Sequence, residues 1–191
     1  MKRALVVVGI LAIAAGAWIH VKAQLAQVLL RVAWQRHTKP WPWADTQPVA
    51  RLRIGARDFI VLEGANGRAL AFAPGHVEHT ALPGQRGNCV ISAHRDTHFA
   101  ALRDVCAGDV IRAQSLDGRW FAYTVARTEV VDKHDVWVTR STNDATLTLV
   151  TCYPFDAVVA GGAQRYVITA LECAQCASSP STTSTSPAHP T

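Results

Sequence analysis

Residues 146–154 read TLTLVTCYP, a run of strand-forming residues that closes on a cysteine and, two positions later, a proline. Side chains of this kind favour a β-strand over Thr146 to Cys152. Pro154 has no N–H group, so it does not extend a central β-ladder. We therefore predict that Cys152 lies at the rim of a sheet, where a rigid scaffold presents functional side chains to substrate.

Similar short runs fill the chain from residue 49 onward, separated by turns rich in glycine and proline. Asp117-Gly118 is the clearest hairpin signal, and only Thr97 to Val105 has a helical pattern in this region. The order predicts a mostly β fold, most economically one barrel or sandwich. The predicted strands are Phe59 to Leu62, Ala69 to Phe72, Val90 to His94, Val110 to Ala113, Trp120 to Val131, Thr146 to Cys152 and Arg165 to Leu171.

The charge of the chain is concentrated in its N-terminal arm. The 191 residues carry 19 lysines and arginines and 14 acidic residues, a formal net charge of +5. Residues 1–45 hold 6 basic residues and 1 acidic residue, which leaves 13 of each sign for the rest. Because the body is neutral, its charge argues against binding to a nucleic acid backbone.

An unbroken apolar stretch runs from Ala4 to Ile19, directly after Lys2 and Arg3. As a helix it would be about 24 Å long, short for a membrane span. We expect residues 1–20 to be a signal anchor or transmembrane segment. The protein would then cross the cytoplasmic (inner) membrane once, with its folded domain on the extracytoplasmic, periplasmic side. Ala15-Gly16-Ala17 leaves open a cleaved signal peptide, and both alternatives export the body.

Three further segments follow from composition. Residues 21–47 are predicted to form an amphipathic helix and a linker rich in proline and tryptophan, residues 48–173 the folded domain, and residues 174–191 a disordered tail rich in serine, threonine and proline. The helix has an apolar stripe that would lie along the membrane or against the domain. The stripe consists of Val21, Leu25, Val28, Leu29 and Val32, with Lys22, Gln27 and Arg31 off it.

Five cysteines in an exported chain leave at least one without a partner. Strand alternation points Cys89 into the core, and Cys106 ends the predicted helix. Cys173 and Cys176 form a CxxC pattern that fits a disulfide, half of a metal site or no function. Cys152 at the rim is the candidate reactive thiol, and we expect it to stay unpaired.

Two further residues are expected beside Cys152. His94 closes its own predicted strand, and Arg165 opens the strand that follows the turn at Gly161-Gly162. An imidazolium beside a thiol favours the thiolate and supplies a proton to a leaving amine, while a guanidinium stabilises a developing oxyanion. The three residues therefore predict an acyl-transfer site. On spacing alone, other histidines are equally available, namely His76, His79 and His98.

A series of ordered motifs surrounds these candidates. The motifs are Pro74-Gly75-His76, Thr80-Ala81-Leu82-Pro83-Gly84, Gly87-Asn88, His94-Arg95-Asp96-Thr97-His98-Phe99, Gly108-Asp109, Thr148-Leu149-Val150-Thr151-Cys152 and Gln164-Arg165-Tyr166-Val167. Together they resemble the sortases, a family of bacterial cysteine transpeptidases whose signature is T-L-x-T-C. The class from Gram-negative proteobacteria is the most similar, since it shares the pattern at residues 41–45, WPWAD. Ala93 departs from the glycine that commonly precedes the histidine.

This resemblance implies a single sortase-type, eight-stranded β-barrel with short helices. Cys152 corresponds to the nucleophile, His94 to the acid/base, and Arg165 to the residue that orients substrate and stabilises the oxyanion. The implied reaction cleaves an LPxTG-like sorting signal after threonine through a thioacyl enzyme, then passes the acyl group to an unidentified amine. The implied partner is a protein with a C-terminal signal of this kind, and no cofactor, metal or nucleic acid is implied. The residues expected to support the site are Asp96, His98 and Thr151.

Three other functions are compatible with parts of the sequence. A zinc hydrolase would use histidines such as His76 and His79, but their HxEH spacing is not that of a zinc-binding helix. An L,D-transpeptidase would carry a glycine-rich sequence before Cys152, where this chain has Val150-Thr151. A non-catalytic barrel tethered to the membrane would bind a partner without turnover, and its Cys152 would not react with electrophiles.

Overall fold

The computed structural model describes residues 25–36, 38, 45–159 and 161–173. The predicted membrane segment at residues 1–20 and the predicted tail at residues 174–191 lie outside the described residues. Within the described ranges, no helix is long and apolar enough to cross a membrane.

In the described part of the chain, eight strands follow a helix, α1, at residues 25–36. The strands close into a barrel in the order β1-β2-β3-β4-β7-β8-β6-β5, and β5 pairs back to β1. The elements are β1 (Pro48–Ile54), β2 (Arg57–Glu63), α2 (Gly67–Leu70), β3 (Gly75–His76), β4 (Gly87–Ser92), β5 (Val110–Gln114), β6 (Trp120–Asp132), β7 (Ala145–Tyr153) and β8 (Gln164–Glu172), with 3-10 helices at His98–Asp104 and Val136–Thr139. The prediction of a mostly β, eight-stranded barrel is confirmed.

Two sequence predictions about individual strands need correction. The segment Ala69 to Phe72 is not a strand, because the side chain of Asn66 accepts hydrogen bonds from the N–H groups of residues 68 and 69 and starts the short helix α2. The strand predicted to end at His94 stops two residues earlier, at Ser92. The hairpin at Asp117-Gly118 is confirmed, with Gly118 at a φ of 85° in the turn between β5 and β6.

The barrel interior is built from alternate residues of neighbouring strands. On β7, Leu147 and Leu149 point inward and are fully buried. The residues that pair with them on β4 and β8 are also core residues, namely Cys89, Ile91, Ile168 and Ala170. Because side chains alternate along a strand, the even-numbered residues of β7 point to the outer face of the barrel.

Helix α1 completes the free edge of β2. Strand β3 has only two residues and pairs only with the end of β2, which leaves backbone groups of Asp58 and Ile60 without a neighbouring strand. The Arg31 guanidinium donates to the Asp58 carbonyl oxygen (2.9 Å). The Gln27 Oε1 accepts from the Ile60 N–H (3.0 Å), and its Nε2 donates to the Phe72 carbonyl oxygen (3.3 Å). These side chains replace the missing strand bonds, since buried backbone groups need partners.

The apolar stripe predicted on this helix does not lie against the domain. Its described members, Leu25, Val28, Leu29 and Val32, are exposed, and Val21 lies outside the described residues. The buried face holds Ala26, Leu30 and Ala33, together with Gln27, which was expected off the stripe. The two small alanine side chains allow the helix to approach β2 closely. Gln27 is buried on the same face because the edge of β2 has backbone groups that require a hydrogen-bond partner, which an apolar side chain could not supply.

Candidate active site

The register of three segments brings the three candidate residues level with one another. Strands β7 and β8 are antiparallel, and Cys152 pairs directly with Arg165. Strands β4 and β7 are parallel, and Ser92 pairs with Val150. Two residues further along the same register, His94 reaches the level of Cys152. The three residues therefore form one row, His94, Cys152 and Arg165, on the outer face at the end of the barrel.

Backbone contacts next to the row maintain this alignment beyond the end of β4. The Thr151 hydroxyl, which is buried, donates to the Ala93 carbonyl oxygen (2.8 Å), and the Ala93 N–H donates to the Val150 carbonyl oxygen (3.3 Å). Ala93 is not among the described residues with positive φ, so alanine fits where the family commonly has glycine. Thr151 supports the site through the residue before His94.

The cysteines differ in exposure and pairing. Cys152 carries a free thiol and is half-buried, as expected for an accessible nucleophile. Cys89 is free but lies in the core, where burial raises the pKa of its thiol to about 12. Cys106 is free and exposed, and Cys173 is disulfide-bonded. Cys152 is thus a free, accessible thiol inside the row.

The two histidines near the row occupy contrasting environments. His94 is exposed, whereas His98 is buried at the start of its 3-10 helix, edge-on to the ring of Phe59 at 5.8 Å. Burial, followed by the charge of His94, lowers the pKa of His98 to about 4; the Phe72 carbonyl opposes this shift without forming a well-aligned hydrogen bond. His98 therefore stays neutral at physiological pH, whereas His94 is exposed and lies in the row.

Arg165 is held at the mouth of the turn between β7 and β8. Its Nη1 donates to the carbonyl oxygens of Gly162 (2.7 Å) and Gln164 (2.9 Å). The side chain is half-buried, and within the described residues its Nε and Nη2 groups have no hydrogen-bond acceptor. These contacts fix the position of the guanidinium while leaving donors available to a ligand oxygen.

Sequence reasoning missed the most extensively bonded side chain near the row, Arg95. It is 3% exposed, and it donates to the carbonyl oxygens of Pro154 (3.0 Å), Ala157 (2.7 Å) and Val159 (2.8 Å). Its Nε donates to the exposed carboxylate of Asp96 (3.1 Å). A charged residue in a polar turn is typical of the surface, so the sequence carries no signal for this burial. Asp96, expected to support the site, contacts it through Arg95.

A second unexpected residue holds the segment between β6 and β7 against the barrel. The Asn88 Nδ2 donates to the carbonyl oxygens of Val138 (2.9 Å) and Arg140 (3.1 Å), and its Oδ1 accepts from the Thr148 hydroxyl (2.7 Å). All three hydrogen bonds lie on the outer face of β4 and β7. They hold the segment that contains Val138 and Arg140 against β4.

The remaining histidine motif has a structural position. The His76 Nε2 contacts the Ala81 carbonyl oxygen (2.9 Å) and the Thr80 hydroxyl (3.0 Å), which ties down the turn between β3 and β4. Among the described residues, no three histidine, cysteine or acidic side chains are grouped to hold a metal ion. A cavity of about 1140 Å³ lies between α1 and α2, and neither His94, Cys152 nor Arg165 lines it.

The chain is similar to known proteins over the barrel. A family model described as "Sortase domain" matches residues 52–172. Sortase D of Bacillus subtilis (strain 168) is 34% identical over 109 residues, which are 56% of this chain and 54% of that protein. The chain thus spans about half the length of this relative.

Solved structures share the fold. Sortase A from Corynebacterium diphtheriae has a TM-score of 0.61 at 26% identity, covering 69% of this chain and 63% of that one. A Clostridium perfringens sortase D5 transpeptidase has a TM-score of 0.63 at 20% identity, covering 80% of this chain and 99% of that one. The family match covers more than half of the chain and includes Cys152 and Arg165, together with the motif around His94. This chain belongs to the sortase family.

Proposed function

We propose that this protein is a sortase-type cysteine transpeptidase that cleaves an LPxTG-like sorting signal and transfers the acyl group to an amine. The observation that carries the proposal is the row on the outer face, in which His94 and Arg165 flank the free thiol of Cys152. A nucleophile, a proton carrier and an oxyanion donor in one row are the parts that acyl transfer requires.

The proposed first half-reaction forms a thioester. The Cys152 thiol gives its proton to His94, the thiolate attacks the carbonyl carbon of the signal's threonine, and the carbonyl electron pair moves to oxygen, where Arg165 stabilises the charge. When the carbonyl re-forms, the bond to the following residue breaks, and the leaving amine takes a proton from His94. The products are a thioacyl enzyme on Cys152 and a free amine peptide.

The second half-reaction releases the enzyme. An acceptor amine, or water in the endopeptidase side reaction, gives a proton to His94 and attacks the thioester carbon. Collapse of that intermediate expels the sulfur of Cys152, and the acyl group now carries a new amide or acid. The acceptor has room to approach because His94 is exposed and the row opens onto the surface.

The proposal includes a location. The apolar stretch from Ala4 to Ile19, preceded by Lys2 and Arg3, supports a single-pass anchor in the cytoplasmic membrane with the barrel on the periplasmic side. The pattern WPWAD at residues 41–45 supports membership of the sortase class of Gram-negative proteobacteria. The partner would then be a protein that carries a C-terminal LPxTG-like signal on the same side of the membrane.

Mass spectrometry of the intact protein incubated with an LPxTG-type peptide tests the chemistry. We expect an acyl adduct that maps to Cys152, disappears on adding hydroxylamine, and is absent from Cys152→Ala. A Cys106→Ser background removes the exposed free thiol among the described cysteines, so that an adduct on a described cysteine reports on the row. An adduct that persists in Cys152→Ala, or labelling of Cys152 without loss of the peptide's C-terminal fragment, would contradict the mechanism.

Protease accessibility tests the location. In cells that express the full chain, we expect the protein in the membrane fraction, with the barrel degraded by protease only after the outer membrane is opened. Edman sequencing of that material distinguishes a retained anchor from cleavage near Ala17. Recovery of the barrel in the cytoplasmic fraction would contradict the proposed location.

A further inference from the structure

Besides the Ala93 N–H bond to the Val150 carbonyl oxygen, two side-chain hydrogen bonds link the segment that carries His94 to the segment that carries Cys152, one on each side of the row. On the side that precedes both residues, the Thr151 hydroxyl bonds to the Ala93 carbonyl oxygen. On the side that follows both, the Arg95 guanidinium bonds to the Pro154 carbonyl oxygen. The first bond extends a regular parallel ladder, whereas the second joins two irregular segments that no ladder holds.

The burial of Arg95 is unusual for a charged side chain. Arginine is rarely this buried unless it is paired, yet its only carboxylate neighbour in the described chain, Asp96, is 62% exposed. Three backbone carbonyl oxygens satisfy the planar fork instead. The guanidinium holds its N–H donors in one plane and can donate to all three oxygens at once. A lysine ammonium does not have this planar set of donors.

The carbonyl groups that accept hydrogen bonds from Arg95 belong to the segment that joins Cys152 to Arg165. Arg95 holds its first part, at residues 154–159, and Arg165 holds its last part, at Gly162 and Gln164. Because Arg95 directly follows His94, one side chain connects the histidine to the whole return path from the nucleophile to the oxyanion arginine. A shift of Arg95 would therefore displace all three residues of the row relative to each other.

We propose that Arg95 is a positioning residue that sets the separation of His94 and Cys152 and fixes the β7–β8 segment behind Arg165. The proposal rests on the function proposed above and deepens it. Arg95 does not touch the reacting atoms; it acts through the backbones that carry them. Misplacement of catalytic groups by about 1 Å can cost on the order of a hundredfold in rate, so removing this link has a large effect on the chemical step.

The test is to measure kcat and KM for cleavage of an LPxTG-type peptide by Arg95→Met, Arg95→Lys and Arg51→Met. Arg51 is a matched control, since it is a partly buried arginine held by two bonds to Asp58 on β1 and β2, outside the row. We expect kcat to fall by about 30- to 100-fold in Arg95→Met with KM changed less than threefold. Lysine should restore part of kcat by reaching one or two carbonyls, and Arg51→Met should change kcat by less than about twofold.

Alkylation of Cys152 by iodoacetamide provides a readout without peptide substrate. In the Cys106→Ser background at pH 6, a neighbouring imidazolium accelerates the reaction by favouring the thiolate. We expect Arg95→Met to slow alkylation to nearly the rate of His94→Ala, while Arg51→Met keeps the wild-type rate. A residue that served only the stability of the fold would lower the melting temperature but would leave this rate unchanged well below it.

Several results would overturn the proposal. Arg95→Met with kcat within threefold of wild type would remove it, and so would an unchanged alkylation rate, which would show that the His94–Cys152 pair does not depend on Arg95. If Arg95→Met does not fold, the same criteria apply to Arg95→Lys. A wild-type protein that fails to cleave the peptide contradicts the proposed function, whereas the alkylation series still tests the link between Arg95 and the His94–Cys152 pair.

Discussion

The interior and the outer face of the β4–β7–β8 sheet use the same residue types for different purposes. Cys89 and Cys152 lie on adjacent parallel strands and both carry free thiols. Cys89 faces the barrel core, where burial raises its pKa to about 12, and it contributes to packing. Cys152 lies on the outer face at the end of the barrel, level with His94 and Arg165. Position relative to the sheet, rather than residue type, separates a core thiol from an accessible one.

The histidines repeat this contrast over a shorter distance. His94 and His98 are four residues apart, yet one is exposed and the other is buried with its pKa lowered to about 4. The exposed histidine lies in the row with Cys152 and Arg165. The buried one remains neutral and packs against Phe59.

Replacement of the two cysteines should give the largest contrast. We expect Cys152→Ala to lower kcat/KM by about 10³-fold or more with an unchanged melting temperature. Cys89→Ala should keep at least half of the activity and lose about 1 kcal/mol or more in the free energy of unfolding, because it leaves a gap in the core. Kinetics and denaturant unfolding of both variants measure this. Equal loss of activity in the two variants would contradict the contrast.

Arg165→Lys tests whether the row needs a guanidinium or only a positive charge. Loss of a correctly aimed oxyanion donor costs about 3 kcal/mol, or roughly a hundredfold in kcat/KM, whereas an exposed ion pair contributes about 0 to 1 kcal/mol. We expect the larger loss, with Cys152 still alkylated by a small electrophile. If the lysine variant keeps more than about a third of wild-type kcat/KM, the oxyanion is stabilised by another donor.

The buried histidine should make stability depend on pH. The folded-state pKa of His98 is about 4, below the ordinary value of 6.5, so the unfolded chain binds this proton first as the pH falls. Stability is therefore lost between about pH 6.5 and pH 4, by about 3 kcal/mol. His98→Leu should lack this component, as measured by urea unfolding at several pH values. The same slope in wild type and variant would show that His98 does not contribute.

The smallest effect is expected from a polar contact on the outer face. Thr148→Val removes the hydroxyl that donates to Asn88 and should cost about 1 kcal/mol of stability, with a modest rise in KM as residues 133–144 loosen. Thr169 pairs with Thr148 on β8, and Thr169→Val serves as the matched control. Thermal unfolding and peptide cleavage of the two variants measure the difference. An equal loss in both would assign the effect to the strands in general.

The row could be predicted from the sequence because its members close or open strands. Pro154 marks the end of β7, the Gly161-Gly162 turn marks the start of β8, and antiparallel pairing then places Arg165 opposite Cys152. His94 needed the family resemblance, since other histidines lay in similar polar turns. Strand ends are local properties of the chain, so a sequence reports them well.

The supporting contacts were not predictable in the same way. Arg95 and Asn88 act through backbone carbonyls 50 or more residues away. Every residue has a carbonyl group, so the sequence does not show which one will accept the bond. Strand β1 was missed because Arg51 and Arg53 occupy its outward positions, although they alternate with buried Leu52. Contacts between side chains and distant backbone depend on the completed fold.

The Gln27 and Arg31 contacts along β2 have a practical consequence for expression of the domain. A protein cut immediately before Pro48 would keep all eight strands but would present the bare N–H of Ile60 and carbonyl of Asp58 to solvent. Unpaired strand edges recruit other chains, and domain swapping and aggregation are the usual results. The shortest version expected to stay monomeric in solution therefore begins before Leu25, even though the family match starts at residue 52.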